Sequence, residues 1–129
     1  MNAKRYEKVL QACALSDEVA QLERKDSTLI GSRGANLSGG QKARIALARA
    51  IYSTAPTLLL DDPFAALDIP VAQHVFRNVI QLLLLAQKRN VLMTTHHVNY
   101  AESADQVHRH LMTSSSVPVI INPNGVHHS

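Results

Sequence analysis

The sequence predicts an α/β fold organised around a βαβ unit, and three observations predict it. Thr57-Leu58-Leu59-Leu60-Asp61 and Val91-Leu92-Met93-Thr94-Thr95 are short, nearly continuous apolar runs of strand length. Between them lies a helix-length stretch that Pro70 opens, proline being tolerated in a first helical turn. Ahead of the first run, Ser38-Gly39-Gly40 starts a series of strong helix formers. Strand, helix and strand in this order form a parallel pair joined by a right-handed crossover.

The elements follow in order. Tyr6, Val9, Leu10, Cys13 and Ala14 recur at helical spacing, so residues 3–14 read as an amphipathic helix. Residues 16–36 are polar and rich in Asp, Ser, Gly and Asn, which predicts turns and loop. Ser38 is the natural N-cap of a helix over Gln41–Tyr52, with Ile45, Leu47, Ala48 and Ile51 available for burial. The Thr57–Asp61 run lacks polar alternation, which predicts a strand covered on both faces, and Val91–Thr95 reads the same way. The helix from Pro70 reaches about Gln87, with Leu82–Leu85 in the core, and a short helix is expected over Val98–Ala104. Thr113–Ser129 contains no Asp, Glu, Lys or Arg and is punctuated by Pro118, Pro123 and Asn124-Gly125, so a disordered tail is expected there. The predicted boundaries are therefore 1–112 for the folded part, divided at residue 50, and 113–129 for the tail.

Composition narrows the function classes. A chain of 129 residues holds one domain at most, and its 46% hydrophobic content is that of a globular chain. The formal charge of +3 is small and scattered, which argues against a nucleic-acid surface. Cys13 is the single cysteine, so no intramolecular disulfide forms and a buried structural thiol in a reducing compartment is expected. The longest apolar run, Leu82–Ala86, falls far short of the ~20 residues that span a bilayer. Met1-Asn2-Ala3-Lys4-Arg5 leads into no apolar signal core, so a cytosolic start without direct membrane insertion is expected.

Chemistry concentrates in an ordered set of motifs. Leu37-Ser38-Gly39-Gly40-Gln41 opens a helix, where free amides, slender glycines and a hydroxyl donor make an anion site. Asp61 and Asp62 end the first strand, and His96 lies just past the second, at the edge where open α/β sheets bind ligands. An oxygen ligand in Asp61's position suits Mg²⁺ held partly through water, and an imidazole in that of His96 suits a phosphate contact.

These motifs resemble those of the ATP-binding-cassette (ABC) ATPases. Leu37–Gln41 matches the family signature, Leu58–Asp61 its Walker B strand, Ala66-Leu67-Asp68 its D-loop and His96 its switch histidine. The match runs from about Cys13 to about Asp105. Ile30–Asn36 and Asp61–Ile69 further resemble the first nucleotide-binding domain of the C subfamily, which includes the multidrug-resistance-associated proteins and sulfonylurea receptors. The resemblance implies a partial P-loop NTPase core, with residues 1–50 drawn from the helical signature subdomain and 51–112 running from Walker B to the switch. It implies ATP and Mg²⁺ as cofactors. Ser38, Gly39, Gly40 and Gln41 would engage ATP held by a second cassette, with Asp68 bridging the two. Asp61 would hold Mg²⁺, Asp62 would serve as a weakened base and His96 as phosphate sensor. The partners implied are a second nucleotide-binding domain and transmembrane domains, at the cytoplasmic face of a membrane.

Three departures qualify it. Most active members carry Glu where Asp62 stands, and a carboxylate displaced by ~1 Å can lose ~10²-fold in rate. No G-x-x-x-x-G-K-[ST] phosphate loop, Q-loop or adenine-stacking aromatic precedes the signature, so the chain carries half a site and little ATP affinity of its own is expected. After Asp105 the family's apolar strand is interrupted by Val107-His108-Arg109-His110-Leu111. Lys42, Arg44 and Arg49 read as a solvated helix face and His97 as an incidental surface histidine. His108/His110 and His127/His128 have metal-permitting spacing with no third ligand type beside them. Two other readings stay open: an ABC ATPase of chromosome maintenance or translation, and a non-catalytic fragment that docks on an intact cassette.

Overall fold

The computed structural model describes residues 2–22, 27, 36–84, 87–97, 99–100, 106–107 and 117–121. The elements are α1 (Ala3–Ala12), α2 (Ser16–Gln21), α3 (Gly39–Tyr52), β1 (Thr57–Asp61), α4 (Ile69–Val75) continuing as a π-helical segment (Phe76–Leu84), β2 (Asn90–Thr95), β3 (Gln106–Val107) and β4 (Val117–Ile121). The sheet order is β1-β2-β4-β3. β1 and β2 are parallel, with Asp61 beside Thr94 in register, and the helix between them completes the predicted βαβ unit. β4 runs antiparallel to both β2 and β3.

The first predicted helix is shorter than expected. Ala14 adopts the left-handed conformation (φ 52°), which ends α1, and α2 occupies part of the stretch read as loop. Asp17 and Glu18 sit in the first turn of α2, where acidic side chains complement the exposed amides. This corner is tied to α3 by Arg44, whose guanidinium donates to the Ala14 carbonyl and to the Glu18 carboxylate. Lys42 and Arg49 are exposed as expected, whereas Arg44 is buried. A buried guanidinium persists because an ion pair and a carbonyl compensate its desolvation.

The carboxyl end of α3 is held by two more arginines. Arg89 donates to the carbonyls of Ala55 (2.7 Å) and Ile51 (2.9 Å), and Arg5 to the carbonyl of Ser53 (2.6 Å). Helix-terminal carbonyls lack partners within the helix and attract cations.

The core joins Val9, Cys13 and Leu15 to Leu47 and Ile51 of α3, to Val75, Val79 and Ile80, and to Leu58, Val91 and Met93 of the strands. Of Leu82–Leu85, Leu84 is fully buried, and the side chains of the other three lie outside the described residues. Two-sided burial of β1 and β2 does not hold. Side chains alternate buried and exposed along both strands, leaving Leu59 74% and Leu92 40% exposed. The pleat sends alternate residues to opposite faces, and the described helices supply a core to one of them. One described segment lies within the stretch expected as a tail. Val117–Ile121 forms β4, consistent with four β-branched residues in the apolar run Val117-Pro118-Val119-Ile120-Ile121. The rest of 113–129, and most of the short helix expected over 98–104, lie outside the described residues. No helix among the described residues is long and apolar enough to cross a membrane.

Cys13 is completely buried, and burial pushes its thiol from 9.0 up to about 12, with the charge of Arg44 opposing the rise. The unfolded chain sheds this proton near pH 9, the folded chain only near 12. Stability is therefore expected to fall across that window by about 1.4 kcal/mol per pH unit. Urea midpoints of the wild type and Cys13→Ala between pH 8 and 11 check this: the wild type should lose stability more steeply as pH rises.

Candidate functional site

Two clusters carry the sequence-predicted residues. The first is the helix tip. Ser38 takes an extended backbone and caps α3. Its hydroxyl accepts from the Gln41 amide (3.1 Å) while the Gln41 side-chain carbonyl accepts from the Ser38 amide (2.8 Å), a complete capping box. The box leaves the Ser38 hydroxyl proton free to donate. The amides of Gly39 and Gly40, first in the helix, have no carbonyl a turn earlier to bond. Ser38 and Gly39 are exposed. Gly40 has a second reason to be glycine: a Cβ there would stand 3.2 Å from the Ala66 carbonyl oxygen and 3.4 Å from Leu67. The helix tip thus packs against the loop that carries Asp68. Asp68 is exposed at the N-cap of α4, and its side chain makes no capping bond.

The second cluster is the acidic strand end. Parallel pairing sets the tips of β1 and β2 side by side. His96 Nδ1 lies 2.7 Å from Asp62 Oδ2, the imidazole N–H donating to the carboxylate. Asp62 Oδ1 is buried and has no hydrogen-bond partner among the described residues. Thr94 joins both acids: its hydroxyl donates to Asp61 Oδ1 (2.6 Å) and accepts from the Asp62 amide (3.0 Å), which also reaches the Thr94 carbonyl (3.1 Å). Asp62 has φ 41°, a left-handed conformation that short polar side chains tolerate best. Between α3 and β1 runs a mainly apolar cleft of about 340 Å³, lined by residues such as Ala43, Ala46 and Leu59, with Asp61 and Asp62 its polar members.

Aromatic packing anchors the loops that follow the two strands. Phe64, fully buried, meets Tyr100 (centroids 5.2 Å) and Phe76 (5.9 Å), and Phe76 stacks on Tyr100 at 4.3 Å. Burial raises the Tyr100 hydroxyl above its usual range. His97 is no incidental surface group: its ring packs edge-on to Tyr100 at 5.6 Å.

The structure therefore brings Asp61, Asp62 and His96 together, and separately brings Ser38, Gly39, Gly40 and Gln41 against the loop bearing Asp68. Sequence reasoning missed Thr94 and the Phe64–Phe76–Tyr100 cluster. The signal for Thr94 was present, since aligning the two apolar runs in parallel places it beside Asp61. Among the described residues no three His, Cys, Asp or Glu side chains stand ready to hold a metal. The exposed carboxylate of Asp61 fits a cation that takes its remaining ligands from phosphate and water.

Acidic groups at the carboxyl ends of two parallel strands, with an exposed, capped helix start on the preceding element, define part of an α/β domain of the nucleotide-binding class. Comparison with known proteins gives the family: the model of the ABC transporter domain matches residues 2–65, and the chain belongs to that family. It is 47% identical over 107 residues to ABC transporter C family member 2 of Dictyostelium discoideum, covering 83% of this chain and 8% of that protein. Identity is 45% over 106 residues to human ATP-binding cassette sub-family C member 8, covering 82% and 7%. It is 46% over 105 residues to the probable non-intrinsic ABC protein 5 of Arabidopsis thaliana, covering 81% and 32%. The chain thus spans a small part of the relatives it matches.

Proposed function

We propose that this chain is the signature-to-switch half of a first nucleotide-binding domain of C-family type, working in a pair of cassettes that couples ATP hydrolysis to transport across a membrane. The transmembrane domains and the second cassette are its proposed partners, at the cytoplasmic face. The observation that carries the reading is the Asp62–His96 bond, which joins the tips of the two parallel strands beside the exposed Asp61.

In this reading Ser38, Gly39 and Gly40 receive the γ-phosphate of ATP bound to the opposite cassette. The free hydroxyl proton and two open amides donate to it, and the helix dipole favours its charge. Asp68, exposed and uncommitted, contacts that cassette. Mg²⁺, when bound, neutralises phosphate charge, and Asp61 is the residue that would hold it. Asp62 acts as the shortened, weakened base toward water, while His96 meets the phosphate and holds Asp62 in place through its bond to Oδ2.

Asp62 is the shorter acid at a position that asks for reach. Asp62→Glu, placed in a C-family cassette whose matching stretch is replaced by residues 13–105, is expected to raise ATP turnover by ~10-fold or more. The left-handed backbone opposes part of that gain. A steady-state ATPase assay checks it, and an unchanged rate removes Asp62 from the handling of water.

A further inference from the structure

We propose that Thr94 is the positioning residue of the acidic strand end: its hydroxyl fixes the Asp61 carboxylate for a divalent cation and pins the Asp62 turn. The inference rests on reading Asp61 as a cation ligand and adds a residue to that site.

A hydroxyl has one proton and two lone pairs, and Thr94 uses both kinds of capacity here. The proton lies on Asp61 Oδ1 at 2.6 Å, and a lone pair receives the Asp62 amide at 3.0 Å. Register makes this possible, because Asp61 and Thr94 are direct neighbours across the parallel pair. Among the described residues Asp61 Oδ2 accepts no hydrogen bond, so fixing Oδ1 sets the plane of the carboxylate and presents Oδ2 outward. A carboxylate held in one orientation loses less freedom when it binds a cation. The second bond acts on backbone: Asp62 sits at φ 41°, and its amide is held by the Thr94 hydroxyl together with the Thr94 carbonyl at 3.1 Å. The same residue therefore sets the aim of one acid and the turn that carries the other. Thr94 is two residues before His96, so the group that bonds Asp62 from the other side rides on the same strand tip.

The test uses the full 129-residue chain with Mn²⁺ as probe. Thr94→Val keeps the volume and β-branching and deletes the hydroxyl, Thr94→Ala is a second hydroxyl-free variant, and Thr94→Ser restores the hydroxyl. Mn²⁺ affinity is read from paramagnetic broadening of the Asp61, Asp62 and His96 amide resonances, and exchange of the Asp62 amide is measured without metal. The wild type and Thr94→Ser should bind Mn²⁺ alike, and Thr94→Val and Thr94→Ala ~10-fold more weakly, the scale for losing an outer partner of a metal ligand. Asp62 amide exchange should quicken by about fivefold in the hydroxyl-free variants alone. Equal Mn²⁺ affinity in wild type and Thr94→Val, or a loss in Thr94→Ser as large as in Thr94→Val, overturns the positioning role. A wild type whose Asp61 and Asp62 resonances ignore Mn²⁺ overturns the cation reading instead, and unchanged exchange in both hydroxyl-free variants then overturns the pinning of Asp62 as well.

Discussion

Ser38→Arg is expected to cut ATP turnover of a paired cassette carrying this signature by ~10²-fold or more, because misplacing reacting groups by about an ångström already costs that much. Ser38 is exposed and its hydroxyl closes the capping box on Gln41. Arginine removes the cap and sets a long cation across the amides of Gly39 and Gly40, where a phosphate would approach. Loss of the cap alone accounts for about 1 kcal/mol of stability, too little to unfold a domain. Ser38→Ala separates the effects. It loses the cap and the donor without adding bulk, so it should reduce turnover less than arginine while showing a similar shift in urea midpoint. Equal turnover in Ser38→Arg and wild type would take the helix tip out of the reaction.

Phe64→Ala is expected to destabilise the chain by about 3–5 kcal/mol, the scale for deleting a buried aromatic ring. The ring is completely buried against Tyr100 and Phe76, and its neighbours cannot close the gap without breaking their stack at 4.3 Å. The consequence reaches the site. Phe64 lies in the turn where the Ala65 amide bonds the Asp62 carbonyl (3.1 Å) and the Leu67 amide bonds the Phe64 carbonyl (3.0 Å). Losing the anchor therefore loosens both Asp62 and the loop against Gly40. Phe64→Leu, which refills most of the space, should cost much less. Urea denaturation checks both, and a cost under 1 kcal/mol for alanine would contradict the anchoring role.

The parts of the fold written in local pattern were legible. The Ser38 cap, Pro70 at the start of a helix and the parallel pair of apolar strands each follow from chemistry within a few residues of the sequence. What escaped depends on distant partners. Nothing near Arg44 announces burial, which comes from the Ala14 carbonyl and Glu18, some 30 residues earlier. Likewise Leu59 and Leu92 read as buried because an unbroken apolar run carries no mark of which face is covered. The candidate site divides in the same way. Its acids and histidine stand out by type and spacing, whereas Thr94 becomes visible only once the strands are set in register.

In the proposed function the helix tip grips polyphosphate bound to another cassette. Mixing the 129-residue chain with an intact C-family cassette that carries its own phosphate loop tests this most directly. Association is measured by analytical ultracentrifugation, with and without ATP under conditions that block hydrolysis. A one-to-one complex is expected that forms only with nucleotide and is lost with Ser38→Arg. Absence of a complex with ATP, or a complex indifferent to Ser38→Arg, would contradict it.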